Sequence, residues 1–314
     1  MKKLISIVTP AYNEEANIVE VVDRVRKQFE DNLSNYDYEH IIIDNHSTDS
    51  TAALVKEQCR LDKRVKLIVN SRNFGHIRSP AHGMIRAKGD AVILLVADLQ
   101  DPPELIPEFI KIWEGGHHYL ILGVKRTSEE SRLFFALRRM YYRIVSRLAE
   151  VDLVPDFTGF GLYDRRVIDV IRDIDDPYPY WRGLICEVGF PRFLFPYDQP
   201  IRRRGITKNN FYTLLDIALL GITTHSKVPL RICTIVGLFA AMLSLLIAIM
   251  YAGVKILHWD EMQLGMAPLV IGMFFFASVQ LFVIGFLGEY VGNIHTQVLR
   301  RPRVVEMDTV NFDD

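Results

Sequence analysis

Residues 91–104 read AVILLVADLQDPPE, and this stretch decides how the first half of the chain folds. Its apolar run over residues 91–97 has the length and composition of a buried strand. Asp98 follows the run, and Pro102 and Pro103 then end the extended segment and open a helix. A buried strand followed by polar residues and a helix is the repeating unit of a sheet that is covered on both faces.

Four other short apolar runs have the same character as this one. They alternate with stretches of helical apolar spacing, which predicts an α/β fold with a mostly parallel sheet. These runs are residues 4–9, 40–44, 65–70 and 119–123. Ligands of such sheets bind beyond the carboxyl ends of the strands. The functional site is therefore expected in the segments that follow the five runs, which read TPAYNEE, DNHSTD, NSRNFG, ADLQDPPE and GVKR.

The chemistry of these segments points to a diphosphate that is held through a divalent cation. No glycine-rich phosphate loop is present in the sequence, which disfavours a dinucleotide oxidoreductase or a P-loop enzyme. Mg²⁺ takes one or two carboxylates together with phosphate oxygens. Asp98 and Gln100 point the same way if the chain stays extended, so they are candidate metal ligands. The alternative is that Asp98 and Asp101 are only turn and helix-cap residues.

Two long apolar segments lie near the end of the chain. Residues 230–256 carry charges only at Arg231 and Lys255, and residues 269–288 carry none. Each segment is long enough to cross a hydrocarbon core of about 30 Å. Because only residues 257–268 separate them, they are expected to form a transmembrane hairpin. The alternative is a pair of helices buried in a soluble core.

Charge around the hairpin predicts its orientation. Lys227 precedes the apolar segments, and Arg300, Arg301 and Arg303 follow them. By the positive-inside rule, the large first part and the short tail both face the cytoplasm, as in a multi-pass protein of a bacterial-type inner membrane. The expected domains are a sheet core (1–130), an acceptor-side region with interfacial helices (131–228), the membrane helices (229–290) and a cytoplasmic tail (291–314).

Composition excludes some classes of protein. The chain has 37 Lys and Arg against 38 Asp and Glu, a formal net charge of −1, so it is not a globally basic nucleic-acid binder. Its three cysteines, Cys59, Cys186 and Cys233, are far apart, which argues against a disulfide framework and suits a reducing compartment.

The motifs taken together carry a family resemblance. VTPAYNEE (8–15), IIDNHSTDST (42–51), SRNFG (71–75) and VADLQDPPELIPEFI (96–110) occur in that order, and the chain closes with LGEYVGNIHTQVLRRP (287–302). The set resembles the family 2 inverting glycosyltransferases of the GT-A fold. Within them it is similar to the polyprenyl-phosphate branch, which is related to dolichol-phosphate mannose synthase and the bacterial undecaprenyl-phosphate glucosyltransferases.

The resemblance implies an inverting transfer of one sugar from a UDP- or GDP-linked donor to a polyprenyl phosphate at the cytoplasmic membrane face. Asp98 is the implied catalytic residue, and Asp98 and Gln100 are the implied ligands of Mg²⁺ or Mn²⁺. The residues implied to bind the nucleotide sugar are Pro10, Tyr12, Glu14, Asp44, Asn45, Asp98 and Gln100. The resemblance also implies a homo-oligomer, by analogy a tetramer. Gly285, Gly288 and Gly292 allow close helix contact, either with the first span or with another copy.

Basic segments are candidates for the acceptor phosphate. Residues 133–148 place an apolar face beside an arginine face, which suits either an interfacial helix or a helix packed on the sheet domain. The resemblance places a loop with Arg204 and Lys208 near the phosphates. The candidate acceptor contacts are Lys125, Arg138, Arg139, Arg204 and Lys208.

The sequence departs from the family pattern at the proposed site. Val96 stands where the family usually has the first acid of its metal motif, and Asn45 replaces the second acid of a usual pair. Gly159 and Gly161 stand where Asp and Arg are often found. These departures leave open a catalytically weakened scaffold in a glycan-assembly complex. Transfer to another lipid, such as a diacylglycerol, is a further alternative, but its neutral hydroxyl would need a base that the sequence does not offer.

Overall fold

The computed structural model describes residues 2–126, 151–200, 226–257 and 266–312. Within these ranges the strands are β1 (Leu4–Ala11), β2 (Asp37–Asp44), β3 (Val65–Asn70), β4 (Ala91–Leu94), β5 (Leu120–Lys125), β6 (Phe157–Asp164), β7 (Arg192–Tyr197) and β8 (Glu306–Val310). The helices are α1 (Ile18–Asp31), α2 (Thr51–Leu61), α3 (Gly75–Arg86), α4 (Ile106–Glu114), α5 (Arg165–Ile174), α6 (Trp181–Glu187), α7 (Val228–Leu257) and α8 (Met266–Val298). A short 3₁₀ helix at Pro103–Leu105 precedes α4.

All these strands belong to one mixed sheet with the order β7-β5-β6-β4-β1-β2-β3-β8. Strands β4, β1, β2 and β3 are parallel to their neighbours within this group. Strands β6 and β8 run antiparallel to the strands beside them. The predicted α/β fold is confirmed, and each of the five apolar runs overlaps a strand. The sequence interpretation missed β6, β7 and β8.

Helices cover both faces of the sheet, which explains why its central strands are apolar on both sides. In β1, Ile5 and Ile7 lie in a core cluster with residues of α1 and α4. Val8 lies in a second cluster with residues of α3 and α5. Side chains alternate between the faces of a strand, so a strand covered on both faces reads as a continuous apolar run.

The sheet extends past the boundary that the sequence suggested for its core. β6 pairs with β4 and β5, and β7 pairs with β5, although both strands follow residue 130. β8 pairs with β3, so part of the tail also belongs to the sheet. The sheet domain is therefore assembled from segments that precede and follow the apolar helices. The proposed four-part division of the chain stays a prediction.

The two long helices are exposed along most of their described side chains. α7 has 30 residues and α8 has 33, which correspond to lengths of about 45 and 50 Å. The apolar windows of both helices are almost wholly unburied. The alternative of two helices buried in a soluble core therefore does not hold. A bilayer crossing as a hairpin fits these helices and stays a prediction.

Three glycines of α8 do not contact α7 in the described part of the chain. A Cβ atom added at Gly285, Gly288 or Gly292 would meet nothing within 4 Å. The glycine face of α8 is thus open. Several predicted features lie outside the described residues: the amphipathic helix over 133–148, Arg138, Arg139, Arg204 and Lys208.

Candidate active site

The segment after β4 forms a tight loop at the carboxyl edge of the sheet. β4 ends at Leu94, and Asp98 Oδ1 accepts a hydrogen bond of 3.1 Å from the backbone N–H of Gln100. Leu99, between them, has a φ of +61°, a left-handed conformation that is unfavourable for a leucine. The side chains of Asp98 and Gln100 are half-buried. Asp98 therefore shapes the turn with one oxygen, and its other oxygen has no hydrogen bond to the described residues.

Asp101, which the sequence interpretation considered only as a possible cap, is a buried acid beside Asp98. It is 2% exposed, and its Oδ1 accepts a hydrogen bond of 3.0 Å from the hydroxyl of Tyr197. Its Oδ2 accepts a longer one, 3.4 Å, from the N–H of Val96. The residue in the cap position of the 3₁₀ helix is Pro102, so the capping interpretation was wrong.

The electrostatics of Asp101 reflect this burial. Desolvation and the neighbouring Asp98 raise its pKa to about 7, while the Tyr197 hydroxyl, the Val96 N–H and the Lys125 ammonium oppose the rise. Lys125, one of the proposed acceptor contacts, ends β5 and is half-buried. Its charge thus acts on the same site as Asp98 and Asp101.

Asp44 ends β2 beside the end of β1 and is the second buried acid of this edge. Ala11 of β1 pairs with Asp44 in the sheet register, and the preceding Pro10 pairs with Ile43. Asp44 Oδ2 accepts a hydrogen bond of 3.1 Å from the N–H of Ser47, and Oδ1 is buried without a partner in the described structure. Burial raises the pKa of this carboxyl. An unpaired buried acceptor is costly, so the fold carries this acid at a price in stability.

Asn45 is occupied by hydrogen bonds inside the protein. Its Nδ2 donates to Asn73 Oδ1 at 2.9 Å and to the carbonyl of Gly75 at 3.2 Å. Its Oδ1 accepts from Asn70 Nδ2 at 3.0 Å and from the N–H of Phe74 at 2.8 Å. An amide group has no further donor, so the geometry favours a positioning role in which Asn45 joins the ends of β2 and β3. A direct contact with a nucleotide stays a prediction.

Hydrogen bonds join the loop after β1 to the loop after β2, and those described below are made by the residues that directly follow Tyr12. Asn13 has a φ of +56°, and its N–H donates to Ser47 Oγ at 2.9 Å. The N–H of Glu14 donates to Thr51 Oγ1 at 2.9 Å, and Glu14 Oε2 accepts from Asn17 Nδ2 at 2.8 Å. The half-buried Tyr12 lies just before these anchors, at the same edge of the sheet as Asp44.

The two glycines that replace Asp and Arg of the family pattern are required by the backbone. Gly159 has a φ of +113°, and an added Cβ would lie 3.2 Å from Leu94 Cδ2. A Cβ at Gly161 would collide with the carbonyl oxygen of Ile121 on the paired strand β5. At Gly161, strands β5 and β6 approach too closely for a side chain, whereas at Gly159 the positive φ disfavours any residue other than glycine. The departure from the family pattern is therefore built into the sheet.

The residues of this edge fit a metal only in part. Among the described residues no group of three or more His, Cys, Asp or Glu side chains is arranged to hold an ion. Asp98 and Gln100 offer one carboxylate and one amide oxygen at the surface of the loop. Such a pair suits Mg²⁺ or Mn²⁺ when the phosphate oxygens of a substrate supply further ligands.

Residues 6–172 match the family described as Glycosyl transferase family 2. The chain is 34% identical over 311 residues to the uncharacterized glycosyltransferase YkcC of Bacillus subtilis, which covers 98% of this chain and 95% of that protein. It is 32% identical over 301 residues to the SfII prophage-derived bactoprenol glucosyl transferase of Shigella flexneri, with 96% of each chain covered.

Among solved structures, the comparison matches the chain to the glucosyl-3-phosphoglycerate synthase of Mycobacterium tuberculosis in complex with Mn²⁺, UDP-glucose and phosphoglyceric acid. The TM-score is 0.48 and the identity 19%, and the match covers 71% of this chain and 78% of that one.

Proposed function

This chain belongs to glycosyl transferase family 2, and we propose that it moves one sugar from a nucleotide sugar to a polyprenyl phosphate at the cytoplasmic face of a membrane. The donor is a UDP- or GDP-linked sugar, and the transfer inverts the anomeric carbon. The acceptor is undecaprenyl phosphate or a related lipid of a bacterial-type inner membrane.

The observation that carries this proposal is the extent of the similarity to the bactoprenol glucosyl transferase. The aligned 301 residues are 96% of the chain, so the similarity takes in both the sheet domain and the exposed apolar helices α7 and α8. An acceptor that resides in the bilayer explains their presence.

The pairing of β8 with β3 supports the proposed orientation. β3 precedes both apolar helices and β8 follows them, yet the two strands pair in one sheet. A chain that leaves the sheet, crosses a bilayer and returns to the same sheet must cross it an even number of times. Two crossings by α7 and α8 meet this requirement. The cations Lys227 and Arg301 flank the helices on the side of the sheet domain, as expected for a cytoplasmic face.

The proposed reaction needs no protein base. A phosphate monoester has a second pKa of about 6 and is mostly dianionic at pH 7. Its oxygen attacks the anomeric carbon, and the bond from that carbon to the donor diphosphate breaks with its electron pair on the leaving nucleoside diphosphate. This chemistry accommodates glycines at 159 and 161, where the backbone conformation and the neighbouring strand, respectively, disfavour an acid or a base.

The protein then has to align the two substrates and to neutralise the negative charge on the leaving diphosphate. Asp98 and Gln100 would hold Mg²⁺ or Mn²⁺ at the donor diphosphate, where the ion supplies Lewis-acid stabilisation of the leaving charge. Asp44, at the end of β2, would bind the nucleoside together with Pro10, Tyr12 and Glu14.

The acceptor phosphate would meet cations near the Asp98 loop. Lys125 is the described member of this set, and its charge already acts on Asp101. Arg138, Arg139, Arg204 and Lys208 complete the proposed acceptor contacts. A homo-oligomer is proposed with them, because the glycine face of α8 is open for a second copy.

One observation favours a second candidate function, a weakened transferase that acts as a scaffold in glycan assembly. Val96 and Gly159 remove two acids of the family pattern, and the backbone at Gly159 and the neighbouring strand at Gly161 disfavour side chains. Purified protein should be incubated with undecaprenyl phosphate and a panel of UDP- and GDP-sugars, and lipid-linked sugar should be measured. A labelled product from one donor supports the transferase. Absence of product from every donor, in protein that still binds UDP, favours the scaffold.

A further inference from the structure

Asp101 closes the Asp98 loop at two points. The Val96 N–H at the start of the loop donates to its Oδ2 at 3.4 Å, and the Tyr197 hydroxyl donates to its Oδ1 at 3.0 Å. Tyr197 is the last residue of β7. In the sheet, strands β5 and β6 lie between β7 and β4, the strand that leads into the Asp98 loop. The loop is therefore fastened both to itself and to a distant strand.

Tyr197 is itself held rigidly. It is 4% exposed, and its ring packs edge-on against Phe160 with centroids 5.3 Å apart. Its carbonyl accepts a hydrogen bond of 3.0 Å from the N–H of Arg126, at the end of β5. Gly123 leaves room for the ring, because an added Cβ there would lie 3.2 Å from Tyr197 Cε1. Burial and the nearby Asp101 raise the pKa of the hydroxyl, so it stays a donor at neutral pH.

The two acids of the loop have different tasks. Asp101 is 2% exposed and both its oxygens accept hydrogen bonds from the protein, so this carboxylate is used inside the fold. Asp98 is half-buried and uses one oxygen in the turn, which leaves the other for a ligand.

Backbone strain explains why the loop needs to be fastened. Leu99 has a φ of +61°, and a left-handed residue other than glycine costs about 1–2 kcal/mol. Such a conformation persists only where the surroundings enforce it. If the contacts of Asp101 are removed, Leu99 can relax to a favourable φ, and Asp98 and Gln100 on either side of it then change direction.

We propose that Asp101 and Tyr197 form a positioning pair that holds Asp98 and Gln100 in the arrangement that takes the metal and the donor diphosphate. This inference rests on the proposed function, because the metal and the donor diphosphate that the pair positions residues for belong to the proposed transfer reaction. Neither residue touches the reacting atoms, and both act through Asp98 and Gln100.

The test compares wild type with Tyr197→Phe, Asp101→Ala and Asp101→Asn in purified full-length protein. The measurements are the Mn²⁺ concentration that gives half-maximal transfer, kcat and KM for the donor, and the affinity of Mn²⁺ with UDP by calorimetry. We expect Tyr197→Phe to raise the half-maximal Mn²⁺ concentration roughly 3- to 10-fold, the effect of one lost hydrogen bond. Asp101→Ala should raise it further, and Asp101→Asn, which keeps an acceptor, should lie closer to wild type.

Tyr38→Phe is the matched control. Tyr38 is also a buried tyrosine whose hydroxyl donates to a carboxylate, Asp62 at 3.3 Å, but it lies near the start of β2, away from the carboxyl edge. It should lower the melting temperature without changing the Mn²⁺ dependence.

The outcomes separate this inference from the proposed function. If wild type makes product and Tyr197→Phe lowers only the melting temperature, as Tyr38→Phe does, the positioning role is refuted and the transferase stands. If wild type makes no product, calorimetry still decides: weaker Mn²⁺·UDP binding in Tyr197→Phe supports the pair. Equal binding in the two proteins, or none in wild type, overturns it.

Discussion

Lys56 Nζ lies 2.7 Å from Asp308 Oδ2, so an ion pair joins helix α2 to a strand that follows both apolar helices. Glu306 of the same strand lies 2.6 Å from His82 and 3.1 Å from Arg86 of α3. Asn311 donates to the carbonyls of Cys59 and Val65 at 2.7 and 2.8 Å. The segment after the apolar helices is therefore part of the sheet domain.

Removal of residues 304–314 should destabilise the sheet domain and promote aggregation. Without β8, the N–H and C=O groups on the outer side of β3 lose their partners and form an exposed edge. In detergent, we expect the truncated protein to have a lower melting temperature than wild type and to begin scattering light at a lower temperature. Met307→Ser, at a side chain that is 61% exposed, is the control and should behave as wild type. A truncated protein that melts like wild type would contradict the structural role of β8.

Asp98→Ala should lower the transfer rate by roughly 100-fold or more, since even residues behind metal ligands cost 10- to 100-fold when they are replaced. Membrane insertion and melting temperature should remain close to those of wild type, because the side chain is half-buried and makes one described side-chain hydrogen bond.

Chelation of divalent cations should abolish transfer by wild type. Undiminished turnover in chelator would refute the metal role, and a fully active Asp98→Ala would show that the site lies elsewhere.

Asp44→Asn should weaken donor binding while it stabilises the protein at neutral pH. Burial raises the pKa of Asp44 above its unfolded value, so the ionised form opposes folding. This cost is absent below the unfolded pKa, grows as the pH rises through the folded pKa, and is fully present above it.

The neutral amide removes that cost and can still accept from Ser47. The melting temperature should rise by roughly 2–4 °C per kcal/mol relieved. Thermal melts at pH 7.5 and pH 4, together with UDP titrations, check this. A variant with lower stability at pH 7.5 and unchanged UDP affinity would count against the assigned role.

Gly161→Ala should destabilise the sheet, because the added methyl group would collide with the carbonyl of Ile121 and lie 3.3 Å from Leu122 Cα. Overpacking of this kind costs about 1–3 kcal/mol. Gly115→Ala is the control, since Gly115 has a helical φ of −60°. Thermal melts of both variants provide the measurement. Equal stability of Gly161→Ala and wild type would mean that β5 and β6 can separate, and that the family's usual side chains could be restored.

The sequence interpretation succeeded where one segment carries its own signal. The runs at residues 4–9 and 91–97 cover most of β1 and the whole of β4, because burial on both faces requires uninterrupted apolar side chains. α7 and α8 were visible because an uninterrupted apolar segment of about 20 residues or more is a signal in itself. The polar residues after these strands were expected at one edge because parallel strands end together, and the register of Ala11 with Asp44 bears this out.

What the sequence by itself determined, then, was the α/β class, the central strands, the apolar helices and the family. Only the tertiary structure decided that Tyr197 fastens Asp101, that Asn45 joins two strands, that β8 closes the sheet and that Gly161 has no room for a side chain. Each of these depends on atoms from segments distant in the chain. Apolar periodicity and motif spacing report what a residue needs from its local segment, whereas such contacts arise only when the folded sheet brings separate segments together.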